Sequence, residues 1–158
     1  MITIRRIRIG ESDLFKKIRL MALQDAPYAF SATYDSALQR NAESWREQAD
    51  STASGSDRAA FIAFSDDAPI GIAALYRDKD KVDLGELLQL WVSPEYRGTS
   101  VALDLMDTIF QWAKENSFSK VKAGITKANS RALKFYFKYD FSILEQTPEG
   151  VYLVKEVK

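Results

Sequence analysis

One turn in this chain contains the residue types that bind phosphate. Residues 84–105 are typical of an apolar strand, a turn with Pro94, Arg97 and Gly98, and then an amphipathic helix. The first N–H groups of a helix lack partners inside the helix, and the helix dipole is positive at the same end, so an anion can bind there. Gly98 allows the backbone to approach closely, and Arg97 adds a planar donor fork. The turn is a candidate phosphate site.

A carboxylate lies in the strand before this turn. Glu86 stands in LGELLQLWV, which is otherwise nearly all apolar. Alternation predicts that it shares a strand face with Leu88, Leu90 and Val92, whereas Gln89 falls on the opposite face. A lone Glu in such a strand either has a function, such as general base, or lies at the exposed start of the strand. Both interpretations stay open from the sequence.

The composition excludes several classes of chemistry. The 158 residues contain no Cys and no His, which rules out thiol nucleophiles, Ser-His-Asp triads and Cys/His zinc sites, and we expect no metal. Acid–base chemistry must use Asp, Glu, Tyr, Lys or water. Lys plus Arg and Asp plus Glu both number 22, so the chain lacks the basic excess of a general nucleic-acid-binding protein. No apolar run approaches the roughly 20 residues that span a membrane, and MITIRRIRIG lacks a signal-peptide core, so we expect a cytoplasmic protein.

The elements that position these residues are predicted from periodicity and turn signals. The chain is long enough for one domain with its own core, and we expect that domain to span residues 1–158. Early strands form a meander and later strands alternate with helices, which indicates an α+β or α/β fold around a mixed sheet. Strands are predicted at 2–9, 59–64, 70–75, 84 to just before Pro94, 121–125, 141–145 and 151–157; helices are predicted from Ser12 to before Pro27, within 27–49, at 99–115 and at 130–139.

Two motifs in the second half of the chain resemble those of one family. The first is LWVSPEYRGTSVALDLM, which is similar to the pattern Arg/Gln-x-x-Gly-x-Gly/Ala after a strand ending in Val-x-Pro. Arg97 and Ala102 match the first and last positions of this pattern, and Ser100 stands where Gly is usual. NSRALKFYFKYDF resembles Asn-x-x-Ala-x-x-Phe-Tyr-x-x-x-x-Phe. DAPYAFSATYDSA adds a weaker, N-terminal similarity. Together these segments resemble the GNAT superfamily, which transfers acyl groups from acyl-CoA to amines. The second motif is matched by Asn129, Ala132, Phe135, Tyr136 and Phe141.

The resemblance implies a fold, a cofactor and a set of site residues. The implied fold is a mixed, mostly antiparallel sheet of about six to seven strands flanked by helices, and the implied acyl donor is acetyl-CoA. We expect binding to survive Ser100 because Ser is small and is tolerated in a first helical turn. The implied cofactor site comprises Leu90, Trp91, Val92, Arg97, Gly98, Thr99, Ser100, Val101, Ala102, Asn129, Ala132 and Tyr136.

The resemblance also implies catalytic roles. Tyr136 occupies the position whose phenol protonates the departing thiolate of CoA, and Glu86 or a water that it holds would deprotonate the amine. A backbone N–H near residues 90–92 would meet the oxyanion if the strand diverges from its neighbour. Because the chain has no Cys, no acyl-thioenzyme can form, and we expect direct attack in a ternary complex.

The acceptor is the least defined part of the prediction. The resemblance implies an amine of a small molecule or peptide, and a homodimer is a possible assembly. Tyr28, Phe30 and Tyr34, together with Trp45, are candidates for an apolar wall of the acceptor pocket, with further walls expected from the loops near Arg77 and Thr147. Two alternatives stay open: a non-catalytic acyl-CoA-binding sensor or interaction module, and a nucleotide-phosphate protein that shares only the strand, turn and helix.

Overall fold

A computed structural model of the chain describes residues 1–27, 30 and 32–158. Within these residues the strands are β1 (Ile2–Arg6), β2 (Arg58–Ser65), β3 (Ala68–Arg77), β4 (Leu84–Val92), β5 (Lys120–Thr126), β6 (Ser142–Gln146) and β7 (Gly150–Glu156). The helices are α1 (Ser12–Asp25), α2 (Tyr34–Leu38), α3 (Ala42–Ser51), α4 (Val101–Glu115) and α5 (Ser130–Lys138), and a 3₁₀ turn covers Pro94–Tyr96. No helix in the described ranges is both long and apolar enough to cross a membrane.

The seven strands form one mixed sheet, as the sequence predicts. The order is β1-β2-β3-β4-β5-β7-β6, and every neighbouring pair is antiparallel except β4 and β5, which are parallel. The first strand is shorter than expected. It ends at Arg6 because Ile7 turns into the core and the chain then bends through Gly10, whose φ is +90°, leaving Ile9 at the surface.

Each face of the sheet is covered by helices with an apolar stripe. The predicted stripe of α4 is confirmed: Val101, Leu105, Met106, Ile109 and Ala113 are all buried against one face. The other face is covered by α1 and α3, and Trp45 is buried there with its ring 6.0 Å from that of Phe15. We call these two groups of buried side chains the α4 cluster and the α1/α3 cluster.

The two parallel strands separate halfway along their length. β4 pairs with β5 only from Leu84 to Leu87, opposite Lys120 to Ala123. Beyond this point β4 continues to Val92 paired with β3, and β5 continues to Thr126 paired with β7. The facing edges of residues 88–92 and 124–126 are therefore not paired with each other, and a cleft opens in the middle of the sheet.

A β-bulge lies at the start of this cleft. Leu88 pairs with Ala74 and Trp91 with Ile72, so two residues of β4, Gln89 and Leu90, stand opposite one residue of β3. Gln89 adopts φ +64° to make the bulge. An extra residue reverses the alternation of side chains beyond it.

The bulge overturns part of the predicted strand face. Leu88 remains on the face of Glu86, which carries the α1/α3 cluster. Leu90 and Val92 pack instead with the α4 cluster, and Trp91 joins the α1/α3 cluster. The prediction that Leu90 and Val92 share a face with Glu86 is therefore wrong, because simple alternation does not anticipate an inserted residue.

Candidate active site

A cavity of about 640 Å³ lies where β4 and β5 diverge. Its walls come from five parts of the chain: the second half of β4, the end of β5, the start of α5, the β6–β7 turn, and the segment around α1 and Phe30. The lining residues are Arg19, Phe30, Ala32, Glu86, Leu87, Leu88, Gln89, Leu90, Gly124, Ile125, Thr126, Asn129, Ala132, Tyr136, Thr147, Glu149, Gly150, Val151 and Tyr152.

Tyr136 is held rigidly in the wall that α5 provides. Its side chain is 4% exposed, and its ring lies 5.0 Å from that of Phe141 and 5.8 Å from that of Phe135. Burial raises the pKa of the Tyr136 phenol above its ordinary value. The group is therefore a neutral hydroxyl at physiological pH, and it can donate a hydrogen bond or a proton to an anion that forms in the cavity.

Asn129 begins the helix that carries Tyr136. Its Oδ1 accepts a hydrogen bond from the backbone N–H of Ala132 at 3.3 Å, which makes Asn129 the N-cap of α5. Both residues line the cavity. Since the cap uses the amide oxygen, the NH₂ half of the Asn129 side chain is the part that could donate to a ligand.

Glu86 lies in the cavity wall provided by β4. The strand begins two residues earlier, at Leu84, and Glu86 is half-buried, so it is not an exposed residue at the strand start. Its partner across the sheet is Tyr76. Glu86, on β4, and Tyr136, on α5, therefore line the same cavity.

The bulge brings backbone groups of β4 into the cavity wall, in addition to the Glu86 carboxylate and the Tyr136 phenol. Gln89 and Leu90 both line the cavity, and a bulge leaves backbone groups of the extra residue outside the ladder. The cavity thus has a carboxylate, a phenol and backbone donors along its length. Gln89, expected on the opposite face from Glu86, instead lines the same cavity because of the bulge.

The predicted phosphate turn lies beyond the end of β4. Gly98 has φ +83°, a conformation that favours glycine, and a Cβ added there would meet no atom within 4 Å, so the space around it is open. Thr99 and Ser100 are exposed, and α4 begins at Val101. The Ser100 hydroxyl lies 3.1 Å from the Asp104 carboxylate.

The Arg97 side chain has protein partners. Its Nε donates to the carbonyl of Val92 at 3.2 Å, and its guanidinium forms an ion pair with Asp25 at the end of α1. The same carboxylate accepts a hydrogen bond from Trp91 Nε1 at 2.9 Å. Asp25 therefore ties α1 to both the last part of β4 and the phosphate turn.

The structure brings together only some of the predicted site residues. Leu90, Asn129, Ala132 and Tyr136 line the cavity with Glu86, whereas the side chains of Trp91 and Val92 pack into the two clusters and can contribute only backbone groups. Residues 97–102 lie apart from the cavity, where Gly98, Thr99 and Ser100 form an exposed turn and Val101 and Ala102 begin α4. Within the described ranges, no three or more His, Cys, Asp or Glu side chains are grouped to hold a metal ion.

The candidates for the acceptor wall lie in different places. Phe30 and Thr147 line the cavity, whereas Tyr34 packs against the α1/α3 cluster outside the cavity lining and Trp45 is buried in that cluster. Arg77 is directed away, because it pairs with Asp57 at 3.3 Å and stacks on Phe118 at 3.8 Å. Tyr28 lies outside the described residues.

Sequence reasoning missed Arg19 and the contribution of β5 and β7. Arg19 stands one helical turn after Phe15 and next to Ile18, on the buried face of α1. A charged residue within an apolar helical stripe was the available signal. Gly124 and Tyr152 carried no signal, because only the sheet order brings the end of β5 and the start of β7 to the cleft.

A mixed sheet whose two central parallel strands diverge above a helix-start turn is the fold of the acyl-CoA-dependent N-acyltransferases. The amino-acid sequence indicates the same class of protein. The chain belongs to the Acetyltransferase (GNAT) family, whose sequence profile matches residues 19–141.

Relatives agree with this assignment. Uncharacterized N-acetyltransferases of Mycobacterium bovis and Mycobacterium tuberculosis are 36% identical over 86 residues, which is 54% of this chain and 54% of theirs. The match thus spans about half the length of these curated relatives.

Solved structures share the fold at low sequence identity. A GNAT acetyltransferase from Streptococcus pneumoniae is 18% identical, with a TM-score of 0.83 and complete coverage of both chains. PaiA N-acetyltransferase from Thermoplasma acidophilum, solved with coenzyme A, is 19% identical, with a TM-score of 0.76 and 99% coverage of both chains. YncA from Salmonella typhimurium, solved with its cofactor acetyl-CoA, is 14% identical, with a TM-score of 0.76 and coverage of 100% of this chain and 95% of that one.

Proposed function

We propose that this protein transfers an acetyl group from acetyl-CoA to a primary amine of a small molecule or peptide. Family membership supports acetyl transfer, and two structures of the same fold contain coenzyme A or acetyl-CoA. The observation that carries the proposal is the cavity between the diverging strands, where Glu86 and Tyr136 line one space. A single domain over residues 1–158, a cytoplasmic location and a homodimer stay predictions.

The chain offers suitable groups along the whole length of the donor. The first-turn N–H groups of α4 and the open space around Gly98 suit a pyrophosphate. The unpaired edge of residues 88–92 suits the amide groups of a pantetheine arm, because both present backbone-like donors and acceptors. Ser100 is compatible with this role, since its hydroxyl is turned toward Asp104 and leaves the backbone accessible.

Three groups would then perform the chemistry. Alkyl amines have a pKa of about 10.4 and are mostly protonated at neutral pH. Glu86, or a water bound to it, therefore removes a proton from the amine. The free amine attacks the thioester carbonyl, and the oxyanion accepts a hydrogen bond from a backbone N–H in residues 90–92. The C–S bond breaks, Tyr136 gives its proton to the departing thiolate, and the phenolate that results takes the second proton that the attacking nitrogen loses. The products are an amide and free CoA.

The order of the reaction follows from the composition. Without Cys no acyl-thioenzyme can form, so we expect the amine to attack while the donor is still bound. We expect initial-rate lines that intersect when both substrates are varied. Parallel lines would indicate a covalent acetyl-enzyme and would contradict direct transfer.

The experiment that tests the function is thiol release over a panel of amines. We expect acetyl-CoA to raise the unfolding temperature of the protein, because a ligand that binds only the folded state stabilises it. We also expect release of free thiol that depends on one class of amine. Thermal stabilisation by acetyl-CoA without thiol release for any amine would favour the alternative, a non-catalytic acyl-CoA-binding sensor.

A further inference from the structure

One wall of the cavity contains a cation, Arg19, that has no hydrogen-bond or ion-pair partner among the described residues. Arg19 lines the cavity and is 8% exposed. Its Nη1 is buried without a hydrogen-bond partner, and among the described residues none accepts a hydrogen bond from its guanidinium. The ring of Phe30 lies 5.2 Å from the guanidinium carbon. An aromatic face attracts a cation but does not replace a hydrogen-bond acceptor.

No carboxylate of residues 1–27, 30 and 32–158 forms an ion pair with this cation. The cavity wall also holds Glu86 and Glu149, yet neither forms an ion pair with Arg19 in the part of the chain that the structure describes. The charged and titratable groups that act on Arg19 are the Tyr76 phenol and a second cation, Arg40. Burial lowers the pKa of Arg19 to about 10, so its side chain still carries a positive charge at neutral pH.

A buried, unpaired charge is costly, and proteins retain one where a ligand supplies the missing partner. The planar guanidinium fork matches a carboxylate with two parallel hydrogen bonds. On β4, the Gln89 side chain also lines the cavity, and its Oε1 is buried without a partner. An amide oxygen accepts hydrogen bonds, so it suits the N–H groups of an amine. The cavity therefore presents a donor for an anion and acceptors for an amine.

We infer that the acceptor is an amine that also carries a carboxylate, that is, an amino-acid-like molecule whose carboxylate binds Arg19. This inference rests on the proposed function and narrows its acceptor class. Glu86 would face the amine end of the molecule and Arg19 the acid end. Apolar side chains such as Leu88 and Phe30 also line the cavity, so the remainder of the acceptor would be apolar.

The first test compares matched acceptors on the wild-type protein. The probes are L-amino acids with apolar side chains, the corresponding amino-acid amides and the corresponding aminophosphonates, with free thiol as the readout. We expect kcat/KM for the acids to exceed that for the amides by about 100-fold, the size of effect that follows when a buried charge loses its partner. Equal values for acids and amides would overturn the inference while leaving the proposed function intact. A preference for the phosphonates would overturn the assignment to carboxylates.

The second test uses Arg19→Met, with Arg40→Gln as the matched control. Arg40 is a neighbouring cation outside the cavity lining, so its loss removes a nearby charge without removing the proposed contact. We expect Arg19→Met to lose the preference for acids over amides and to keep its rate with amides within about threefold. Arg40→Gln should keep the preference.

Thermal unfolding separates a binding role from a structural one. If Arg19 exists to bind an anion, replacing it with an apolar residue of similar length should not lower the unfolding temperature of the ligand-free protein. The apolar amino acids should raise the unfolding temperature of the wild type and leave that of Arg19→Met unchanged. This binding test does not depend on turnover. Absence of stabilisation by any amino acid, or a large loss of stability in ligand-free Arg19→Met, would overturn the inference.

Discussion

The phosphate turn and the acceptor cavity are built in different ways. The turn uses consecutive residues, 97–102, and its shape depends on one glycine conformation and one helix start. The cavity takes its walls from α1, β4, β5, α5 and the β6–β7 turn. A local site of this kind can be read as a short motif, whereas a site assembled from distant segments becomes visible only when the sheet order is known. In the proposed function, the turn holds the phosphates of the donor, and the cavity holds the reacting groups and the acceptor.

The largest effect is expected at the chemical centre of the cavity. Tyr136→Phe should lower kcat by about 10²- to 10⁴-fold, the usual contribution of a general acid, and should leave the affinity for acetyl-CoA nearly unchanged. Burial raises the pKa of Tyr136, so the phenol should stay protonated up to at least pH 10. Loss of this proton should therefore not lower the wild-type rate at any pH below 10. Initial rates and a pH profile check both points. Unchanged turnover in Tyr136→Phe would remove this residue from the mechanism.

A somewhat smaller loss is expected at the other catalytic position. Glu86→Gln should lower kcat/KM at neutral pH by about 100-fold, because the amine then loses its base, and the loss should shrink as pH rises and more amine is already neutral. Glu149→Gln is the matched control, since it removes the same charge from the same cavity. A larger loss in Glu149→Gln than in Glu86→Gln would transfer the role of base to Glu149.

A substitution in the phosphate turn should change the affinity for acetyl-CoA and not the rate of acetyl transfer. Gly98→Ala places a Cβ on a residue with φ +83°, which costs about 1–2 kcal/mol unless the turn changes shape. We expect the Kd for acetyl-CoA to rise by about tenfold, as measured by calorimetry. Gly55→Ala is the control, because Gly55 has φ +78° and equally open surroundings but lies in a distant loop. Both variants should lose stability, and only Gly98→Ala should lose affinity; equal affinities would place the phosphate elsewhere.

The smallest effect is expected at Asp25, which connects α1 to the phosphate turn. Asp25→Asn removes the carboxylate that pairs with Arg97, which frees the guanidinium for a phosphate, and we expect acetyl-CoA to bind more tightly by less than about fivefold. Glu11→Gln is the control, since the Arg5–Glu11 ion pair has the same side-chain exposures of 30% and 25%. It should leave acetyl-CoA affinity unchanged. Weaker binding in Asp25→Asn would mean that Asp25 positions the turn instead of competing for Arg97.

Much of the fold could be predicted because its signals are local, and the prediction of the donor site rests on local motifs as well. Helix periodicity predicted the stripe of α4, and the positions of Gly98, Asn129 and Tyr136 followed from short motifs. The bulge at Gln89 could not be predicted, because an inserted residue has no signature in an apolar strand, and it reversed the expected faces of Leu90 and Val92. The interpretation of Tyr34 as a cavity wall failed because aromatic residues near a site pack into a core at least as readily as they line a pocket.

The position of Arg19 in the cavity wall depends on contacts between distant parts of the chain. Arg19 lies 67 positions before Glu86, and only the packing of α1 on the sheet places both in one cavity. Likewise, the partner of Arg97 is Asp25, which no motif connects with the phosphate turn. Sequence periodicity shows which face of a helix is buried, but it does not show which neighbouring strand that face meets.

Amide hydrogen exchange with and without acetyl-CoA tests most directly where the donor binds. We expect slower exchange in the complex at residues 88–92, the strand edge that β5 leaves unpaired, and at residues 98–103, the turn and first residues of α4. The exposed edge strand β6 should exchange equally in both states. Protection at both segments would place the donor along the cleft as proposed. Protection that is absent from residues 88–92 while acetyl-CoA is bound would contradict the central claim that the diverging strand holds it.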